Sequence, residues 1–281
     1  MITDDLTNFV YVSALLEKKH PVFFNNLISE FRLSNVTSDV LPDTRDIWAV
    51  DYMPIQLSKN RFISFTYRPD YLINFKTYQN RITDADLVCS KIAISAEKSD
   101  ILIDGGNVIK GKSFVIMTNK IFIENSQYSE KLLLKMLEEM FEVKVIIIPA
   151  FPKEYTGHAD GLVRYFSEDT VLINNFSKET KQEHVEFAVN LRKVLRNAGL
   201  NYREVPYQPD YSKSSDAIGL YLNYLHMKDF VLVPTFGIQS DDNAVKHFEE
   251  LFKGSDVRFI RAEDIARNGG VLNCITWNIL K

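Results

Sequence analysis

The sequence predicts an α/β protein made of several small sheets that repeat along the chain and are set radially. Three observations lead there. Strand pairs joined by short polar turns recur, a helical stretch and a further strand follow three of them, and the unit repeats about every 50 to 60 residues. A doubly wound sheet would place single strands, not pairs, between its helices.

The first pair covers 54–57 and 61–67, with Ser58, Lys59 and Asn60 as its turn. The second covers 107–109 and 113–118 around Lys110, Gly111 and Lys112, and the third 162–166 and 170–174 around Ser167, Glu168 and Asp169. The fourth covers 221–226 and 230–234 around Met227, Lys228 and Asp229. β-branched runs on either side of a polar turn are the hairpin signal. Leu and Met at helical spacing then mark 130–141, which leads to the strand-like run 143–148. In the same way 179–198 leads to 202–205, and 241–252 to 257–260. Roughly five such units fit the length, the last completed by 269–279, and residues 1–281 read as a single domain.

Apolar residues make up 46% of the chain and charged residues 25%, enough to bury a sizeable core. A net charge of −4 with no basic block argues against binding a phosphate backbone, so no nucleic-acid partner is expected. The two cysteines, Cys89 and Cys274, have no CxxC or Cys/His company, which excludes a disulfide scaffold and the common zinc spacings. They leave room for a reactive thiol in a reducing compartment. The acidic start at 1–5 is unlike a signal peptide, and no apolar run approaches the roughly 20 residues that cross a bilayer. A soluble, cytoplasmic protein with no membrane partner is expected, and self-association as a homo-oligomer is left open.

Only 11 glycines occur, and they cluster at Gly105-Gly106, Gly157/Gly161 and Gly269-Gly270. Four short segments at the starts of the units carry residues fit for chemistry. They are Asp46-Ile47-Trp48-Ala49-Val50-Asp51-Tyr52-Met53-Pro54, Asp104-Gly105-Gly106-Asn107, Gly157-His158-Ala159-Asp160 and Gly269-Gly270-Val271-Leu272-Asn273-Cys274. Radial repetition would gather them about one axis. Taken singly, each has a plainer reading. Cys274 and Cys89 read as small core residues, His158 as a structural hydrogen-bonder, and Asp51 and Asp104 as turn or capping residues.

Taken together and in order, the four segments resemble the agmatine deiminase and bacterial peptidylarginine deiminase family of guanidino-modifying enzymes. Asp46-x-Trp48-x-x-Asp51-x-x-Pro54 is similar to its Asp-x-Trp-x-Arg-Asp-x-Gly-Pro element, and Asp104-Gly105-Gly106-Asn107 to its Glu-Gly-Gly-Asn/Ser element. Gly157-His158-x-Asp160 and Gly269-Gly270-x-x-Asn273-Cys274-x-Thr276 resemble its histidine and cysteine elements, and Tyr221-Leu222-Asn223 with 231–237 a further shared stretch. The resemblance covers about Asp43 to Ile279.

It implies a five-bladed α/β propeller, the pentein fold, with no metal and no organic cofactor. It also implies a small guanidino substrate, most simply agmatine, hydrolysed to N-carbamoylputrescine and ammonia. Cys274 would be the nucleophile, His158 the acid/base group and Asp104 its orienting carboxylate. Asp51 and Asp160 would clamp the guanidinium by paired hydrogen bonds, with Asp46, Trp48 and Asn223 lining the pocket. Cys274 is expected on a β-strand after the flexible Gly269-Gly270 backbone.

Three departures bear on specificity. Val50 and Met53 stand where the family has Arg and Gly, and Asp104 is a methylene shorter than Glu, so its contact to His158 should be closer or bridged by water. Deimination of peptidyl or free arginine, amidino transfer, and a non-catalytic guanidine-binding propeller are the competing readings. Arg45, Arg68, Arg164 and Arg267 are not assignable to a substrate carboxylate. A cysteine peptidase or amidase is disfavoured, since paired aspartates do not serve a neutral amide.

Overall fold

A computed structural model describes residues 1–152, 154–209 and 216–281. These residues form five sheets of three strands each, and the chain divides into two compact units. No helix among the described residues is long and apolar enough to cross a membrane.

The first unit comprises Met1–Thr3, Pro54–Ile82 and Ala96–Glu204. Ile55–Ser58 pairs antiparallel with Arg61–Thr66, which pairs parallel with Glu97–Leu102. Ile109–Lys110 pairs antiparallel with Phe114–Thr118, which pairs parallel with Lys144–Ile148. Val163–Ser167 and Thr170–Asn174 form the third hairpin, and Asn201–Val205 lies beside the latter strand. The expected hairpins are thus present, each extended by a third strand.

The helix Glu130–Phe141 follows from local chemistry. The Ser129 hydroxyl accepts the Leu132 N–H at 3.3 Å to cap its start, and Glu142 turns left-handed (φ 59°) to end it. Leu133, Leu137 and Phe141, four residues apart, share one face and pack with Val115, Met117 and Ile63. Each such apolar side chain contributes about 1.5–3 kcal/mol by burial. The strand Glu97–Leu102 gave no sequence signal because its first four residues, Glu97, Lys98, Ser99 and Asp100, are polar and largely exposed.

The second unit comprises Asp4–Met53, Thr83–Ser95 and Val205–Lys281. Leu225–Met227 and Phe230–Thr235 form the fourth hairpin, with Asp256–Arg261 parallel to the latter. In the fifth sheet the C-terminal strand Thr276–Ile279 pairs antiparallel with Phe9–Ser13, which pairs parallel with Thr37–Leu41. Its two antiparallel strands come from opposite ends of the chain, so no turn between them marks it in the sequence. Phe248 and Phe252 stack in this unit's core with Tyr224 edge-on to Phe248, and Phe31 of the helix Pro21–Leu33 meets Phe230 edge-on at 6.2 Å.

Candidate active site

In the second unit Cys274 lies on the single helical turn Leu272–Ile275, directly before the strand Thr276–Ile279. It is therefore not on the strand, as the sequence led us to expect. The backbone N–H groups of Leu272 and Asn273 both bond the Asn223 carbonyl, at 3.1 and 3.2 Å, and Ile275 N–H closes the turn on Val271. The Thr276 hydroxyl adds a bond to the Leu272 carbonyl at 2.8 Å. These bonds occupy groups that a sheet ladder would use.

Asn223 organises this turn with its side chain as well. Its Oδ1 accepts the N–H of Val271 at 3.2 Å and of Cys274 at 3.3 Å, and its Nδ2 donates to Sγ of Cys274 at 3.2 Å. A donor aimed at sulfur favours the thiolate. Two residues before Asn223, the Tyr221 hydroxyl donates to Oδ1 of Asp241 at 2.8 Å. The Asp241 carboxylate also accepts the N–H groups of Phe236, Gly237 and Ile238.

A Cβ on Gly270 would stand 2.8 Å from the Trp48 ring and 2.9 and 3.0 Å from Cβ and Sγ of Cys274. Glycine at 270 thus lets an indole and a thiol close on the same point. Trp48 precedes the short helix Ala49–Tyr52, which packs on the Cys274 turn. Asp51 on that helix and Asp46 before it are buried, and Asp46 accepts the Ile47 N–H at 2.7 Å. Burial, with Asp46 and Asp51 nearby, holds the Tyr52 phenol well above its usual range. Met53 follows in extended conformation (φ −83°), a geometry that needs no glycine, and its side chain is buried. Cys274 is partly exposed, whereas Cys89 is buried and its thiol is pushed up to about 12 by desolvation and Asp86, so Cys89 keeps its core reading.

In the first unit His158, Asp104 and Asp160 are all buried. Oδ2 of Asp104 lies 3.0 Å from Nε2 of His158, a direct contact despite the shorter side chain. The Asp104 segment is fixed by Asn107, whose Oδ1 accepts the Thr118 N–H at 2.9 Å, and the Asp160 N–H bonds the Gly106 carbonyl at 3.0 Å. The turn before His158 passes through Gly157 at φ 65°, with its N–H on the Glu154 carboxylate and its carbonyl on the Thr118 hydroxyl. A Cβ at Gly157 would meet the Lys120 side chain at 2.5 Å.

Three residues beside this pair carried no functional reading in the sequence: Tyr71, Lys120 and Glu124. The Tyr71 hydroxyl donates to Oδ2 of Asp104 at 2.9 Å. Lys120, nearly buried, donates to Asp70 at 3.0 Å and to the carbonyls of Tyr155 and Thr156, and lies 3.4 Å from Glu124. Burial opposes the charge on Lys120, but Glu124, Asp70 and Asp104 outweigh it and lift the ammonium above its ordinary value. Glu124 has one ammonium, shared with Asp70, against its own burial and the Asp104 charge, so it is pushed up to about 7. The only trace in the sequence was a Lys/Glu pair four residues apart within an apolar stretch. Arg267 is engaged by Glu263 at 2.5 Å and Arg164 is buried in its strand. Among the described residues no group of three or more His, Cys, Asp or Glu side chains could hold a metal ion.

The model of the Porphyromonas-type peptidyl-arginine deiminases matches residues 5–279. A protein of Mycoplasma mycoides, provisionally named agmatine deiminase, is 22% identical over 67% of this chain and 60% of its own length. This chain thus spans about three fifths of that relative. Among solved structures, C. jejuni agmatine deiminase with substrate bound superposes with a TM-score of 0.80 at 17% identity, covering 100% of this chain and 96% of that one. Agmatine deiminase of Enterococcus faecalis gives 0.78 at 18% identity, over 100% and 95%. The chain has their fold, the α/β class of five small blades expected from its repeat.

Proposed function

Because the chain belongs to the Porphyromonas-type peptidyl-arginine deiminase family, we propose that it hydrolyses a guanidinium C–N bond, with agmatine as its substrate. The observation that carries this reading is that the nucleophile and the acid/base group each have a dedicated partner. Asn223 donates to the Cys274 sulfur, and Asp104 bonds the His158 imidazole. A structural cysteine and a structural histidine need neither.

The Cys274 thiolate attacks the central guanidinium carbon and forms a C–S bond, giving a tetrahedral adduct. The C–N bond breaks as His158 gives a proton to the departing nitrogen, and ammonia leaves an amidino thioether on Cys274. Water then attacks the same carbon and gives a proton to His158, the C–S bond breaks with its electrons on sulfur, and a ureido product departs. Asp51 and Asp160, as buried carboxylates, match the planar N–H forks of the substrate and hold its charge. None of these steps calls on a cofactor, and two free thiols suit a reducing, cytoplasmic setting.

The test is turnover of agmatine, free arginine and a blocked arginine peptide, followed as ammonia and ureido product. Agmatine is expected to be consumed to N-carbamoylputrescine, with no turnover in Cys274→Ala. Faster turnover of either arginine substrate would redirect the assignment within the family. No turnover of any of the three at high enzyme, across roughly pH 6 to 9 where His and Cys titrate, would overturn hydrolysis in favour of amidino transfer or binding alone.

A further inference from the structure

Oδ2 of Asp104 takes two hydrogen bonds, from the Tyr71 hydroxyl at 2.9 Å and from Nε2 of His158 at 3.0 Å. A carboxylate oxygen that already accepts one donor holds a second less strongly, because both draw on the same charge. Tyr71 is held in this position by its surroundings. Its neighbour Asp70 accepts from Nζ of Lys120 at 3.0 Å, and the same ammonium stands 5.0 Å above the Tyr71 ring. Lys120 also binds the carbonyls of Tyr155 and Thr156, just ahead of His158. The segments that carry Tyr71 and His158 therefore share one anchor, and the two rings meet edge-on at 6.1 Å.

We propose that Tyr71 is a positioning residue of the deimination: by sharing Oδ2 of Asp104 with His158, it limits how far the carboxylate stabilises the protonated imidazole and so keeps His158 able to give a proton to the leaving nitrogen. This rests on the reading of His158 as the acid/base group. The hydroxyl acts through Asp104 and His158 and needs no contact with substrate. Among the described residues, charged groups facing the pair include Lys120, Glu124 and Asp70, with Asp160 two residues beyond His158. Lys120 and Glu124 act through space and remain when Tyr71 is replaced by Phe, so that substitution isolates the hydrogen bond.

The experiment is an NMR titration of the imidazole nitrogens in substrate-free protein, with His158 assigned from a His158→Gln sample. In Tyr71→Phe the pH at which His158 takes up its proton is expected to rise by about half to one pH unit, the equivalent of one hydrogen bond. The limb of kcat/KM that is lost as His158 gives up its proton should move up by the same amount. An unchanged midpoint in a folded Tyr71→Phe protein overturns the proposal, as does lower activity without a moved midpoint, which would mark Tyr71 as structural. Glu124 is pushed up to about 7, within the range where imidazoles ordinarily titrate, so the comparison is repeated in Glu124→Gln. The same rise is expected there, and a rise seen only with Glu124 present would also overturn the proposal. The titration needs no turnover, so it reads Tyr71 even if the protein is not a deiminase.

Discussion

The side-chain amide of Asn223 donates to Sγ of Cys274 at 3.2 Å, while its carbonyl oxygen receives the N–H of the same cysteine at 3.3 Å. One residue thus places the sulfur and offers it a proton donor. Hydrogen bonds to charged groups are worth about 1.5–3 kcal/mol, so losing this one should cost roughly 10- to 100-fold in kcat/KM. Asn223→Ala is predicted to show that loss and to move iodoacetamide alkylation of Cys274 to higher pH, read by mass spectrometry of the Cys274 peptide. Asn223→Asp should move it further, since a carboxylate beside sulfur opposes the thiolate. An alkylation profile that ignores both substitutions contradicts the assignment.

Gly270→Ala tests the close approach of Trp48 and Cys274. The added methyl would sit within 3.0 Å of both side chains, so one must move. We expect a stability loss of about 1–3 kcal/mol in urea denaturation, as for overpacking in a core. Activity should fall further than that loss explains, because the displaced group includes the nucleophile.

Glu124 makes stability depend on pH in an unusual direction for a carboxylate. Its folded value of about 7 lies above its ordinary 4.5, so between these values the folded protein binds a proton that the unfolded chain has lost. Stability from this residue is therefore complete below about pH 4.5, falls as pH rises to about 7, and stays low above. Glu124→Gln removes the penalty. Urea unfolding should find it more stable than the parent by about 1–3 kcal/mol at pH 8, with the difference closing toward pH 4.5. A difference independent of pH would contradict this.

Asp104→Asn should act in the opposite sense to Tyr71→Phe. An amide cannot stabilise an imidazolium, so His158 should protonate at lower pH and kcat should fall by about 10²- to 10⁴-fold. The pH–rate profile and the imidazole NMR titration check both.

How much of this was legible in the sequence depended on whether the partners were local. Hairpins with polar turns, such as 170–174 with its partner, were plain, and so was the helix Glu130–Phe141 with its four-residue spacing. The sheet of Phe9–Ser13 and Thr276–Ile279 was not, because its strands meet across nearly the whole chain. The site behaved alike. Asp104 and His158 stood in recognisable segments and are in contact, and Asn223, Trp48 and Cys274 converge on one turn. Tyr71 and Lys120 were silent because a lone tyrosine and a lone lysine gain meaning only from what they touch. The helical turn at Cys274 was misjudged because Asn223, 51 residues earlier, supplies the acceptors that shape it.

The central claim is that Cys274 attacks a guanidinium carbon. Rapid acid quenching of the protein during agmatine turnover, followed by mass analysis of the Cys274 peptide, tests it directly. A peptide heavier by agmatine less ammonia is expected, absent without substrate and absent in Cys274→Ala, which should also lose at least ~10³-fold in turnover. Undiminished turnover in Cys274→Ala with no adduct in the parent would contradict it.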